Sequence, residues 1–223
     1  MKKDINSNGY IFLYATILIV VVAVLLTAAA IWLKPFQDTN KQNEKRINIL
    51  RAAGIADVNA DNAAELYKQH CTDEFLLDEN GRPDNNGLLP LFVIDREISV
   101  IPMQGKGLWG PISGFIAIDT KGNIVGANFD HESETPGFGG EITTEKFQGQ
   151  FKWKQIRKNG QIAPIEFDAI TGATKTSNGV KEMIDNTLEK YEPFFEQLTE
   201  RRETRDEEAD PCLEVPRPVS KEK

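Results

Sequence analysis

Residues 112–130 read ISGFIAIDTKGNIVGANFD, and this stretch decides the fold. Its two halves, ISGFIAID (112–119) and NIVGANFD (123–130), place β-branched and aromatic residues near period two, the spacing of a half-buried strand. The three residues between them, TKG (120–122), are short and contain glycine. The two halves are therefore predicted to pair as an antiparallel hairpin. Upstream, LLPLFVID (88–95) and REISVIPM (96–103) repeat the pattern. Downstream, FKWKQI (151–156) and PIEFDAI (164–170) are predicted as two further strands joined by a turn at RKNGQ (157–161).

Helical segments flank this block. In SNGVKEMIDNTLEKY (177–191) the apolar positions Val180, Met183, Ile184, Leu188 and Tyr191 fall on one face. Ser177 or Asn178 is placed to cap its start, and Pro193 ends or kinks it. DNAAELYKQHC (61–71) carries Ala64, Leu66, Tyr67 and His70 at helical spacing, with Asp61 as the candidate cap and His70 as a surface residue. Lys41–Ala53 is a third helix, continuing from the segment before it or starting just after, and Gly54 ends it. DENGRPDNNG (78–87) is a loop. The expectation is an α+β domain, an antiparallel sheet packed against a few helices.

Ahead of this domain, residues 11–33 read IFLYATILIVVVAVLLTAAAIWL without a charge. As a helix they span roughly 35 Å, enough to cross a hydrocarbon core of about 30 Å. Tyr10, Tyr14 and Trp32 suit the interfacial belts. The rival is a cleaved signal peptide, with Lys2 and Lys3 as its basic start and TAAA (27–30) as its cleavage site. The apolar run exceeds an ordinary signal core and extends past that site, so an uncleaved anchor is favoured. Lys34, Lys41, Lys45, Arg46 and Arg51 outnumber Lys2 and Lys3 across the span. That count alone would keep the domain in the cytoplasm, but the rule weakens when a long domain follows.

The 223 residues carry a net charge of −8, with a pI near 5.0. No basic patch is present, so a nucleic-acid partner is not expected. Cys71 and Cys212 form neither a CxxC motif nor a zinc spacing. A bridge between them is possible, with two unrelated thiols the favoured reading. Residues 199–223, rich in charge and proline, read as a polar, disordered tail.

Three stretches carry the candidate chemistry. GKGLWG (105–110) matches G-x-G-x-x-G, but a strand follows where a dinucleotide fold needs a helix. A glycine-rich turn is the plain reading. The functional one is a backbone that lets a flat ring approach, with Trp109 as an apolar wall. DHESETPGFGGE (130–141) contains one histidine and no HExxH, so no metal site is expected. It is a flexible acidic loop, or a loop shaped by Pro136, Gly137 and Gly139 that turns Thr135 toward a ligand. DAITGATKTS (168–177) lies between a strand and a helix. Its hydroxyls (Thr171, Thr174, Thr176, Ser177) and Lys175 could hold phosphate at a helix N-terminus, though it is not a P-loop and a plain cap is the simpler reading.

Together, in this order and rough spacing behind a single N-terminal anchor, the three stretches resemble the FMN-binding domain of the NqrC family, the flavin-carrying anchored subunits of the Na+-translocating NADH:quinone oxidoreductase (Nqr). The resemblance covers residues 1–198. Its most specific element is the attachment motif D-x-x-[ST]-G-A-T, here Asp168, Ala169, Ile170, Thr171, Gly172, Ala173 and Thr174. By that match Thr174 carries FMN through a phosphoester, installed by a dedicated transferase that takes FMN from FAD. Asp168, Thr171, Gly172, Ala173 and Thr176 are its neighbours at the cofactor. The resemblance adds Gly107, Leu108, Trp109 and Gly110 from the first stretch, and Glu134, Thr135, Pro136, Gly137 and Phe138 from the second. Phe138 stands where the family has Leu, and Ser133 and Lys175 also differ from the family pattern.

The resemblance further implies an electron-relay component of a membrane complex that oxidises NADH, reduces quinone and exports Na+, working with the other Nqr subunits (A, B, D, E and F). It places residues 1–10 in the cytoplasm, 11–33 across the inner membrane, and 34–198 on the periplasmic side as the soluble FMN domain (flavin core about 88–198). The flavin does the redox chemistry, so no catalytic side chain and no metal is expected. RnfG, the corresponding component of the Rnf ferredoxin:NAD oxidoreductase complex, shares the threonine motif and the anchor. GKGLWG and the TPGFGGEI context favour the first family. The alternative of another class is a non-redox anchored module, which would carry no chromophore.

Overall fold

The computed structural model describes residues 8–158 and 161–199. The chain divides into two compact units between Lys45 and Arg46. The first is helical throughout its described length. Helix α1, Asn8–Ala52, runs through it and ends in the second unit. Its apolar window has a mean hydropathy of 2.8 and none of it is buried, so it is long and apolar enough to cross a membrane. The hydroxyls of Thr16 and Thr27 donate to the carbonyls of Phe12 and Ala23 one turn back. That removes the penalty of an unpaired hydroxyl in an apolar stretch. Pro35 lies inside the helix, just beyond the uncharged run. Of the alternatives for Lys41–Ala53, the continuous helix is the one observed.

The second unit begins with the last turns of α1. Gly54, at φ +83°, closes them. Its N–H donates to Arg51 and the Ile55 N–H to Leu50, at 3.0 Å each, the paired bonds of a glycine-stopped helix. Helix α2 spans Ala63–His70. Asp61 is not its cap. The side chain of Asn59 accepts from the amides of Asp61 and Asn62, and that of Asn62 from Asn59, so two asparagines organise the entry.

Five strands follow as one antiparallel sheet in the order β1-β2-β3-β4-β5. They are β1 Cys71–Leu77, β2 Leu89–Ile94, β3 Ile98–Lys106, β4 Pro111–Asp119 and β5 Ile124–His131. The β4–β5 hairpin forms as predicted. Asp119 accepts from the amides of Lys121 and Asn123, and Gly122 takes φ +78° at the tip. The β2–β3 turn uses Asp95 and Arg96, both at positive φ, so REISVIPM starts two residues early as a strand. Strand β1 is not among the predicted elements. Its burial follows no period of two, because a register shift between Cys71 and Asp73 interrupts the pairing with β2 and much of the strand is solvated.

The sheet is covered on both faces. Ile101, Met103, Ile112, Ile116, Ile118 and Phe129 pack against α4 (Thr174–Lys190) and the turns around Phe147 and Phe151. Phe92, Ile94, Val100 and Ala117 pack on the other side against Ile49, Ala52 and Ala53 of α1 and its cap. The predicted apolar face of α4 is the buried one: Val180, Met183, Ile184 and Leu188. A Cβ on Gly179 would lie 2.3 Å from the Lys106 carbonyl, so the absence of a side chain lets α4 lie against β3. The Tyr191 hydroxyl donates to Pro90 at 2.7 Å and fastens the far end of α4. α4 stops at Lys190, and residues 192–199 form a further short helix that includes Pro193.

FKWKQI and PIEFDAI are not the predicted strand pair. Trp153 sits at φ +66°, which breaks the first, and Gln155 makes only an isolated bridge to Asn123. The short pair that does form is β6, Arg157–Lys158, with β7, Gln161–Ile162. Residues 163–170 join no sheet. Short helix α3, Glu145–Gln148, is capped by the Thr144 hydroxyl. The 200–223 part of the predicted tail, with Cys212, lies outside the described residues, as do Lys2, Lys3 and residues 159–160 of the predicted turn.

Candidate functional site

GKGLWG spans the end of β3 and a four-residue turn into β4. Lys106 pairs with Pro111, and the Gly107 N–H donates to Gly110 at 2.8 Å. A hairpin therefore occupies the place where a dinucleotide fingerprint needs a helix. The turn holds Leu108 and Trp109 out from the core, 43 % and 69 % exposed.

A single carboxylate ties this turn to the other two stretches. Glu134 follows β5 and is buried, 4 % exposed. Its Oε1 accepts from the Trp109 N–H at 2.8 Å and, more weakly, from Gly110 at 3.4 Å. Its Oε2 accepts from the Thr176 hydroxyl at 2.6 Å. Two glycines make room for it: a Cβ on Gly107 would lie 2.4 Å from Oε1, and one on Gly139 2.3 Å from Oε2. Burial pushes the Glu134 carboxyl up. The donors from Thr176, Trp109, Gly110 and Leu108 outweigh burial and hold it below the ordinary carboxylate range. A charge buried with this many donors is a satisfied one. The Glu134 amide in turn donates to His131 Nδ1 at 3.3 Å.

Beyond Glu134 the chain turns on Thr135, whose carbonyl accepts from Phe138 and Gly140. Thr135, Pro136, Gly137 and Phe138 are exposed, and Phe138 is 52 % exposed despite its size. Gly172, at φ +80°, lies against its ring, where a Cβ would stand 3.1 Å from Cδ1. Leu108, Trp109 and Phe138 are thus exposed apolar groups carried by two loops that Glu134 joins.

The four hydroxyls of DAITGATKTS have four different surroundings. Thr176 is buried on Glu134. Ser177 is buried and does not cap α4 in the predicted way. Its Oγ accepts from the Ile170 N–H at 3.0 Å and donates to Ala173 at 3.1 Å, closing the turn that precedes the helix. Asn178 is exposed within the helix. Ala173 occupies the N-cap position with no side-chain cap bond. Thr171 and Thr174 are exposed, and Thr174 is the first residue of α4. The helix's first intrahelical bond runs from Ser177 to Ala173, so the N–H groups of Thr174, Lys175 and Thr176 remain to meet an anion.

Asp168 is exposed and stands apart from the Glu134 cluster. Its backbone, not its side chain, is held: the Gln150 amide accepts from Asp168 N at 2.8 Å and donates to its carbonyl at 3.4 Å. Gln150 positions the site without having been singled out in the sequence. His70 is on the surface end of α2, with Nδ1 3.0 Å from Asp95. The assembled site offers an anion position at the start of α4 and exposed apolar walls for a flat ring. These are the two needs of a flavin mononucleotide, and the residues present fit it.

Comparison with known proteins gives the same answer. Residues 107–189 match the family model of the FMN-binding domain. The NqrC protein of the Na(+)-translocating NADH-quinone reductase from Pasteurella multocida is 28 % identical, over 81 % of this chain and 89 % of its own length. Its counterpart from Vibrio alginolyticus is 26 % identical, over 74 % and 84 %. Among solved structures, the counterpart from Parabacteroides distasonis is 34 % identical and superimposes with a TM-score of 0.66, covering 73 % of this chain and 96 % of that one. The NqrC structure from Shewanella oneidensis, 20 % identical with a TM-score of 0.61 and coverages of 72 % and 99 %, shares the fold.

Proposed function

The chain belongs to the NqrC family of the Na(+)-translocating NADH-quinone reductase, and from that membership we propose that it is a membrane-anchored electron carrier with FMN bound covalently to Thr174. The observation that carries the attachment is the division of labour among the hydroxyls. Thr176 and Ser177 are buried and engaged. Thr174 is exposed at the one position where its oxygen and the open N–H groups of α4 can share a phosphate. Loading forms a P–O bond between Thr174 Oγ and the FMN phosphate of FAD while the phosphoanhydride bond breaks. AMP leaves, and the hydroxyl proton passes to a base of the transferase.

Once bound, the flavin supplies the electron transfer. The chain supplies its position: Leu108, Trp109 and Phe138 form walls for the ring, and Glu134 holds the 107–110 turn to α4. In this reading 11–33 crosses the inner membrane, the FMN domain (34–198) lies on the periplasmic side, and the other components of the complex carry NADH oxidation, quinone reduction and Na+ export. The test is co-expression with the transferase followed by denaturing electrophoresis. Flavin fluorescence should stay with the wild-type band and vanish in Thr174→Ala. Fluorescence that persists in Thr174→Ala would refute the attachment. Reporter fusions at residue 199 test the orientation.

A further inference from the structure

Glu134 is satisfied as an acceptor but not neutralised as a charge. Its donors are the Trp109 and Gly110 amides and the Thr176 hydroxyl, all of them neutral dipoles. Among the described residues no Lys, Arg or His forms an ion pair with it. The adjacent His131 accepts the Glu134 N–H at Nδ1, and an imidazole that accepts at one nitrogen is not a cation. Lys106 at the end of β3 and Lys175 in the first turn of α4 are exposed, so water screens their charges. Asp130, Glu132 and Glu141, the other carboxylates around this loop, are exposed or half-buried and are screened in the same way. Glu134 is buried, so its field is the one that water weakens least.

A neutral amide of the same shape could make as many hydrogen bonds. What the carboxylate brings that an amide would not is a fixed negative charge, and it sits among the points a flavin would have to reach. One oxygen is bonded to the backbone of Trp109, a proposed ring wall. The other is bonded to Thr176, two residues beyond the proposed attachment threonine. Phe138, the wall from the second loop, adjoins Gly139, where a Cβ would lie 2.3 Å from Oε2. Two electrons and one proton added to an oxidised flavin leave one extra negative charge on it. A fixed negative charge alongside makes that addition less favourable.

We propose that Glu134 tunes the redox potential of the flavin: its uncompensated charge opposes the charge gained on reduction and keeps the flavin harder to reduce. This rests on the reading that FMN is attached at Thr174. The side chain acts through its field and need not touch the ring. The role is separate from joining the loops, because Glu134→Gln removes the charge and keeps the shape, whereas Thr176→Val removes a bond and keeps the charge.

The test is an anaerobic equilibrium titration of the full-length, flavin-loaded chain in detergent at neutral pH. A two-electron reference dye supplies the electrons and the buffer the proton. At a fixed ratio of reduced to oxidised dye, the ratio of reduced to oxidised flavin should rise roughly three- to thirtyfold in Glu134→Gln, the scale of one unit charge acting across a partly solvated site. In Thr176→Val it should move by less than about twofold. An unchanged ratio in Glu134→Gln, or an equal rise in both variants, overturns the assignment, the second by showing that loosened loops alone account for the shift. If Glu134→Gln does not load, the same comparison is made by anaerobic dialysis of free FMN against the Thr174→Ala chain. Oxidised FMN should then bind more tightly than reduced FMN where Glu134 is present, and the preference should shrink when Gln replaces it. No preference for the oxidised form with Glu134 in place overturns the assignment. Failure of the wild-type chain to acquire flavin overturns instead the reading on which it rests.

Discussion

Replacing Glu134 by Gln isolates the charge at the centre of the site while keeping its shape. In the native structure Oε1 receives the Trp109 and Gly110 amides and Oε2 the Thr176 hydroxyl. In Glu134→Gln the amide oxygen can keep the two backbone donors. The hydroxyl of Thr176 must rotate and accept instead. Hydrogen bonds to a charged group contribute about 1.5–3 kcal/mol and neutral ones about 0.5–1.5. The change should therefore destabilise the domain by about 1–2 kcal/mol, or roughly 2–8 °C in Tm for a domain of this size. Thr176→Val acts on the same bond, so the double variant should lose less than the sum of the singles.

The pH dependence gives a second reading of the same experiment. The folded carboxyl lies below its ordinary value, so on acidification the unfolded chain takes up the proton first. The stabilisation is present above the ordinary carboxylate range, about 4.3 for Glu, and is lost as the pH falls through the folded value. Thermal melts of wild type and Glu134→Gln, followed by near-ultraviolet circular dichroism, should differ most near neutrality and converge in acid. Equal melting temperatures at pH 7, or a gap that stays constant into acid, would refute the view that an ionised Glu134 joins the loops.

Gly179→Ala puts a methyl 2.3 Å from the Lys106 carbonyl. It should destabilise by about 1–3 kcal/mol, measured by denaturant melts, and an unchanged midpoint would mean that α4 is free to shift off β3. Arg96→Gly relieves one of two consecutive positive-φ residues at the β2–β3 turn and should stabilise by up to about 1 kcal/mol. A loss of stability there would show that the exposed arginine side chain does more than fill the turn. Phe138→Leu should leave the unfolding free energy within about 0.5 kcal/mol of wild type because the ring is exposed, while altering the visible spectrum of the loaded protein. An unaltered spectrum would place the ring away from the flavin.

Much of this could be read from the chain because local pattern and tertiary structure agree where burial is one-sided. The hairpin at 112–130 and the buried face of α4 are of that kind, since each alternation maps onto one packed surface. β1 was hidden because its burial lacks a period. PIEFDAI misleads for the opposite reason. Its period of two is real, but strand identity needs a neighbouring backbone, and Gln150 and Lys154 supply single side chains in its place. Glu134 was legible as a family position. Its burial between Gly107, Gly139 and Thr176 was not, because those residues lie far apart in sequence and meet only when β3, β5 and α4 are assembled.

The same distance in sequence bears on why two of the four hydroxyls in DAITGATKTS are buried and engaged. On α4, Thr176 follows Thr174 by two residues, about 200° around the helix, which turns it toward the body of the domain when Thr174 faces outward; Ser177 lies nearer the Thr174 face and is buried under the turn that precedes the helix. One is consumed by a carboxylate from the loop after β5, the other by the backbone of its own preceding turn. Removing either bond would free a hydroxyl but also loosen the turn that presents Thr174. If FMN is attached as proposed, selectivity for one oxygen comes from the fold as well as from the motif. In Thr176→Val and Ser177→Ala, loading should become slower but stay on Thr174, as mapped by peptide mass spectrometry. Flavin found on Thr171 in either variant would show that exposure alone, without the helix N-terminus, is enough to direct it.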